Sequence, residues 1–169
     1  MDKQSRKLAV FFPGIGYTGD KPLLYYSRKI AASAGYDIKL LPYTGFPDKV
    51  RGDKERMRES YQIALKQAEE MLADIDLDDY DELLFVGKSV GTIVATEIAS
   101  RIRKAVRFVL YTPVEETFGF LIGDAIVFTG GNDPWVGKEK SPVYGICVKK
   151  GIPCTLISYA NHSLESHDS

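Results

Sequence analysis

Cysteine is nearly missing from this chain of 169 residues, which carries only Cys147 and Cys154. The two fall on what read as buried positions of a helix and a strand and lack metal-ligand spacing, so reduced structural thiols are expected. Histidine is equally scarce, with His162 and His167 alone, and His167 stands in a polar tail. An excess of either charge is also lacking: 22 Lys and Arg face 23 Asp and Glu, for a net charge of −1. The bases are dispersed among acids without forming a stripe, which removes the electrostatic footprint of a nucleic-acid partner. Long apolar runs are absent too. Basic residues near the N-terminus precede Leu8-Ala9-Val10-Phe11-Phe12, but Pro13-Gly14 ends that run well short of a signal core or a membrane span. A cytoplasmic protein with no membrane partner is expected.

What is present is enough apolar material, 44% of the residues, for a single domain over 1–169 with a sizeable core. Its centre is Leu83-Leu84-Phe85-Val86-Gly87-Lys88-Ser89-Val90-Gly91-Thr92-Ile93-Val94-Ala95. An apolar run, a glycine-flanked turn and a small-residue apolar segment succeed one another without a gap, which reads strand, sharp turn, helix. In such a turn the central residue is forced into strained backbone geometry, and glycines two places to either side avoid collisions of a Cβ with strand or helix. Ser89 is then held at the tip, near the free N–H of Val90 at a helix N-terminus, where negative charge is stabilised. The bland account of the same residues is a close-packed crossover in which Ser89 caps the helix. Gly87-Lys88-Ser89 also looks like the end of a phosphate-binding loop, but the required glycine five places earlier is Glu82, so no cradle can form.

The rest of the chain alternates in the same way. Strands are expected at Leu8–Phe12, Tyr36–Leu41, Val106–Tyr111, Ala125–Thr129 and Thr155–Tyr159, beside the one that leads to Ser89. A helix capped by Asp20 should bury Leu23, Leu24, Ser27, Ile30 and Ala31, and a longer one should bury Met57, Tyr61, Ala64, Leu65, Ala68, Met71 and Leu72. A further helix starts at Ser141-Pro142 and runs through Lys150. The acidic run Asp74–Asp81 fails as a calcium loop, because Asp79 stands where the turn needs Gly and Phe85 where a bidentate Glu is needed. The fold class is therefore α/β: a doubly wound, mostly parallel sheet of about six strands flanked by helices.

Ser89, Asp133 and His162 each lie just past the C-terminal end of an expected strand, so a parallel sheet gathers them at one edge, where ligands of such sheets bind. The chain order is nucleophile, acid, histidine. In this order, in Gly87-Lys88-Ser89-Val90-Gly91, in Gly130-Gly131-Asn132-Asp133-Pro134-Trp135-Val136 and in Asn161-His162-Ser163-Leu164, the sequence resembles the α/β-hydrolases, particularly the small dienelactone-hydrolase-like ones. Pro13-Gly14-Ile15-Gly16 stands where that family keeps its oxyanion loop. The resemblance covers nearly the whole chain and implies a serine hydrolase of small carboxylic esters or related acyl compounds, with Ser89 as nucleophile, His162 as base, Asp133 as its support and the N–H groups of Val90 and Ile15 as the oxyanion hole. It implies no cofactor and a small-molecule acyl substrate. The chain departs from the family in starting directly at the strand before the oxyanion loop, in having Pro13 where many relatives have histidine, and in leaving room between Tyr111 and Ala125 only for a loop with Glu115, Glu116, Phe118 and Phe120. A groove without a cap domain is expected, with Tyr17, Tyr43, Phe118 and Trp135 as candidate lining.

Two other readings stand beside this one. Gly14-Ile15-Gly16-Tyr17-Thr18-Gly19 satisfies the dinucleotide fingerprint after a strand, although Asp20 and Pro22 place the helix start late and Asp37 precedes the second strand's apolar residues instead of ending it. A hydrolase fold kept only as an interaction surface is the other.

Overall fold

The computed structural model describes residues 4–135 and 142–166. Six strands, β1 Lys7–Phe12, β2 Asp37–Leu40, β3 Glu82–Lys88, β4 Val106–Tyr111, β5 Ala125–Gly130 and β6 Cys154–Ile157, form one sheet in the order β2-β1-β3-β4-β5-β6. Every pairing is parallel. The apolar runs of β1 and β3 are the most buried strands because they lie inside the sheet with helices over them. The strand order reverses between β1 and β3, so the loops leaving these two strands diverge and open a crevice at their carboxyl ends.

The connecting helices are α1 Pro22–Ser33, α2 Lys54–Leu72, α3 Val90–Ser100, α4 Thr117–Phe120 and α5 Pro142–Lys150. On one face of the sheet, Phe12, Phe85, Phe108, Leu110 and Val127 pack with Ala64 and Ala68 of α2, Val94 of α3 and Val143 of α5. The rings of Phe12 and Phe85 stand 5.1 Å apart. On the opposite face, Ala9, Phe11 and Val86 meet Leu24 and Ala31 of α1.

Several boundaries differ from expectation, each for a local reason. Lys21, not Asp20, occupies the N-cap of α1 and makes no side-chain cap; the Asp20 carboxylate instead pairs with Arg28 at 3.2 Å. Ile30 faces solvent at 70% exposure, because α1 turns only a narrow stripe, Leu24 and Ala31, fully inward. The last strand is the short edge strand Cys154–Ile157 and ends before Tyr159, whose φ of 61° turns the chain away from the sheet. The segment after Tyr111 holds the four-residue helix α4 in place of a plain loop. The expected helix start at Ser141 lies outside the described residues, as do Val136 and His167.

The acidic run before β3 is mostly exposed and forms a short 3₁₀ turn at Leu77–Asp79, and among the described residues no cluster of His, Cys, Asp or Glu could hold a metal. Both thiols are free, and burial pushes Cys147 up to about 12, which keeps it from acting as a thiolate. No helix among the described residues is long and apolar enough to cross a membrane.

Candidate active site

The turn between β3 and α3 is as sharp as its glycines require. Ser89 has φ 53° and ψ −120°, a conformation unfavourable for any residue with a side chain and held only by the packing around it. A Cβ on Gly91 would stand 2.0 Å from the Phe12 carbonyl oxygen, and one on Gly87 would stand 2.9 Å from the Thr92 Cα. Both glycines are thus fixed by backbone that approaches where a side chain would be. The Ser89 N–H continues the β3–β4 ladder to the Tyr111 carbonyl at 3.0 Å, and its own carbonyl accepts from the Thr92 N–H and hydroxyl. Ser89 does not cap α3 through its side chain, so its hydroxyl is left for another partner.

That partner is His162. Its Nε2 lies 2.8 Å from Ser89 Oγ and its Nδ1 lies 2.7 Å from Asp133 Oδ2. Asp133 is 2% exposed, and its second oxygen accepts the Trp135 N–H at 2.9 Å, so the carboxylate is held from both sides. The loops that carry Asp133 and His162 are sewn together by backbone hydrogen bonds, Asn132 N–H to the Ala160 carbonyl and Gly131 N–H to the Ile157 carbonyl, each 2.9 Å. A Cβ on Gly130 would stand 2.4 Å from the Ala160 oxygen, which is why this strand must end in glycine for the loops to meet. The Asn161 side-chain oxygen accepts from the N–H groups of Ser163 and Glu165 and shapes the histidine loop. The Trp135 ring stacks on the imidazole at 5.0 Å.

Burial lowers His162 below the usual histidine range, and the hydrogen bond that its Nδ1 donates to Asp133 opposes that fall; the positive charge of Lys88 lowers it further. The imidazole is therefore neutral near pH 7 and free to accept a proton at Nε2.

The loop after β1 lies directly over the serine. A Cβ on Gly14 would stand 3.0 Å from the Lys88 carbonyl oxygen and 3.3 Å from the Ser89 Cβ. Gly14 and Tyr17 close this loop on each other through two backbone hydrogen bonds. Ile15 N–H takes no part in that closure, and Val90 N–H is the first of α3, with no turn of helix beneath it. The glycines of the dinucleotide-like pattern have local reasons: Gly14 packs against the serine turn, Gly16 takes a positive φ of 68° in open space, and a Cβ on Gly19 would run into the Leu40 side chain. The α1 N-terminus begins at Pro22, beyond the glycines, and Asp37 is exposed at the start of β2.

Of the four candidate lining residues, Trp135 lines a groove. The groove, about 830 Å³, runs between the start of α2, α3 and the segment after β4, with Met57, Tyr61, Ile93, Val114 and Phe120 among its walls. Phe118 is 6% exposed and packs into the main core, because α4 turns it inward. Tyr43 packs against the same core, its ring against Phe46. Tyr17 is buried against the α1 face, its hydroxyl oxygen accepting the Leu23 N–H. These three are corrections to the sequence reading; aromatic residues on loops are needed here for packing.

The residue that sequence reasoning misses is Lys88. In the sequence it reads only as the lysine of a phosphate-like loop, yet it is 1% exposed and donates to Thr112 Oγ1 at 2.7 Å. The one available signal is its place in an otherwise apolar, buried run beside the nucleophile.

A six-stranded parallel sheet with a strained serine turn after its third strand and acid and histidine loops after the last two is the α/β-hydrolase fold. The sequence matches no protein-family model and no curated protein. Among solved structures, the chain is similar to an α/β-hydrolase candidate of unknown function from Agrobacterium tumefaciens (16% identity, 96% of this chain and 79% of that one, TM-score 0.66). It is similar also to Est1E from Butyrivibrio proteoclasticus, seen with ferulic acid bound (10% identity, 98% and 85%, TM-score 0.66). A third is XC6422 from Xanthomonas campestris, an α/β serine hydrolase without a lid (11% identity, 96% and 76%, TM-score 0.62).

Proposed function

We propose that the protein is a serine hydrolase that cleaves small carboxylic esters or related acyl compounds by way of an acyl-enzyme on Ser89. The observation that carries this reading is the unbroken hydrogen-bonded chain from Ser89 Oγ through the His162 ring to Asp133, with the serine at the tip of a strained turn. As Ser89 Oγ attacks the acyl carbon, His162 Nε2 takes its proton, and Asp133, already bonded to Nδ1, supports the imidazolium. The oxyanion is received by the N–H groups of Val90 and Ile15. His162 then returns the proton to the departing alcohol. Water then enters in the alcohol's place: as His162 Nε2 takes its proton, the water oxygen bonds to the acyl carbon, the bond from that carbon to Ser89 Oγ breaks, and His162 returns the proton to Ser89 Oγ as the acid departs. These steps call for no cofactor.

The groove next to Trp135 is the place for the substrate. The chain from Thr112 to Asp124 is too short to build a lid, so binding energy comes from a few side chains, and each further methylene adds at most about 0.8 kcal/mol while it stays in contact. Fluorophosphonate labelling tests the reading, together with rates on a homologous series of esters. Labelling at Ser89, lost in Ser89→Ala, and specificity that peaks at short acyl length are expected. Absence of any labelling in folded protein would point instead to a hydrolase fold used as an interaction surface, and rates that climb steadily to long chains would mean a deep apolar tunnel.

A further inference from the structure

Two hydroxyls beside the serine turn have no part in the triad. Thr92 of α3 and Thr117 of α4 are both fully buried, and their Oγ1 atoms stand 2.8 Å apart. Thr92 Oγ1 also lies 2.6 Å from the Ser89 carbonyl oxygen, closer than the 2.9 Å at which the Thr92 N–H reaches the same oxygen. A hydroxyl has one proton and a carbonyl has none to give, so this approach requires the Thr92 proton between the two oxygens. With that proton committed to Ser89, Thr117 must be the donor of the pair. The chain therefore has one direction, from Thr117 through Thr92 to the Ser89 carbonyl, and each hydroxyl polarises the next. Thr96, the next buried hydroxyl of α3, stays outside it and bonds back to the Thr92 and Ile93 carbonyls.

The Ser89 carbonyl belongs to the same peptide unit as the Val90 N–H. That unit is planar, so whatever holds the carbonyl oxygen also aims the N–H on the opposite side. Hydrogen bonds that draw electron density toward the oxygen leave the N–H a stronger donor. Resting on the hydrolase reading, in which this N–H receives the oxyanion, we propose that Thr92 and Thr117 are positioning residues whose hydroxyl relay aims and polarises the Ser89–Val90 peptide toward the negative charge that forms during attack. The peptide that offers the second donor, Gly14–Ile15, is held by backbone, its carbonyl accepting the Tyr17 N–H at 3.3 Å; the relay serves the Val90 side. Thr117 stands between Glu116 and Phe120 of the groove wall, so the relay is also where that wall is bonded to the serine turn. The substrate carbonyl carries little charge before attack. Support given to an oxyanion donor is therefore felt in the transition state, in kcat and not in KM.

The test uses Thr92→Val, Thr117→Val and the double variant, which remove the hydroxyls and keep the branched shape, with Thr92→Ser and Thr117→Ser as rescues. For each intact protein, steady-state rates on a short ester are measured, and the Val90 amide nitrogen is followed by NMR. Loss of a whole oxyanion donor costs about 10²–10³-fold in kcat, so loss of its support should cost less, about tenfold for Thr92→Val and about threefold for Thr117→Val, with KM nearly unchanged. Because both hydroxyls act through one chain, Thr117→Val should add nothing in the Thr92→Val background. The Val90 nitrogen signal should move upfield in both single variants, further in Thr92→Val, as the carbonyl before it loses hydrogen bonding. The serine variants should restore rate and signal together. A folded Thr92→Val protein with kcat and the Val90 signal unmoved overturns the proposal, and so do losses that simply multiply in the double variant. Should Thr92→Val not fold, an unmoved kcat and Val90 signal in Thr117→Val overturn it equally. Fluorophosphonate labelling of wild type separates the two ideas: labelled Ser89 with unmoved variants refutes the relay alone, whereas no labelling in folded protein refutes the hydrolase reading and the relay's role with it.

Discussion

Two glycine-rich turns leave neighbouring strands of the sheet, Gly14–Gly19 after β1 and Gly87–Gly91 after β3, and their sequences invite similar readings. In both, a glycine marks a place where backbone comes close to where a Cβ would stand, Gly14 in the first turn and Gly87 and Gly91 in the second, whereas Gly16 stands in open space at φ 68°. The turns differ in how soon the next helix begins. After Gly87-Lys88-Ser89 the helix starts at once, at Val90, so strand and helix force Ser89 into its strained conformation and present its hydroxyl to His162. After Gly14 the chain folds back on itself through Tyr17 and the helix waits until Pro22, leaving a loop that lies on the serine turn. Glycine spacing alone announces close approach; the distance to the helix start decides whether the turn presents a side chain or covers one.

The largest effect that would break this contrast is on turnover. Ser89→Ala should abolish ester hydrolysis and labelling with little loss of thermal stability, because the turn is held by its glycines and by backbone hydrogen bonds. Asp133→Asn should lower kcat on the order of 10⁴-fold by favouring the wrong imidazole tautomer; kcat within tenfold of wild type would remove Asp133 from the mechanism.

Stability changes come next. Lys88→Met should raise stability by a few kcal/mol at neutral pH, since it replaces a buried cation with an apolar chain. The sign comes from linkage: Lys88 protonates near 7 folded and near 10.5 unfolded, so between these values the unfolded chain holds the extra proton. Its burial cost is thus full below pH 7 and fades as pH rises toward 10.5. Denaturant melts of both proteins should converge at alkaline pH, and a constant gap would refute this origin. Gly91→Ala should cost about 3 kcal/mol, since the Phe12 and Pro13 carbonyls cannot yield to a Cβ without disturbing β1. Gly16→Ala, at φ 68° with open space around it, should cost only about 1 kcal/mol. Equal costs at the two positions would erase the distinction between the turns.

The smallest expected effect is on the pH profile. Activity requires neutral His162, so it should fall as pH drops through a midpoint below 6.5, the direction in which burial moves this residue. An acid limb centred above 6.5 would mean that Asp133 outweighs burial.

The sequence by itself determined the elements and their order, because buried parallel strands are short apolar runs and the helices between them carry apolar stripes, both local patterns. It determined too that Ser89, Asp133 and His162 reach one edge, since a parallel sheet puts every strand's carboxyl end on the same side. Tertiary structure alone decided which aromatic residues were free. Phe118 and Tyr43 are claimed by the core and Tyr17 by the α1 face, a matter of which side of a loop meets the sheet, and no periodicity within a loop records that. It decided the environment of Lys88 as well. A lysine reads as surface in any sequence, and only the approach of Thr112 and Tyr17 from two other segments of chain makes it a buried charge next to the serine.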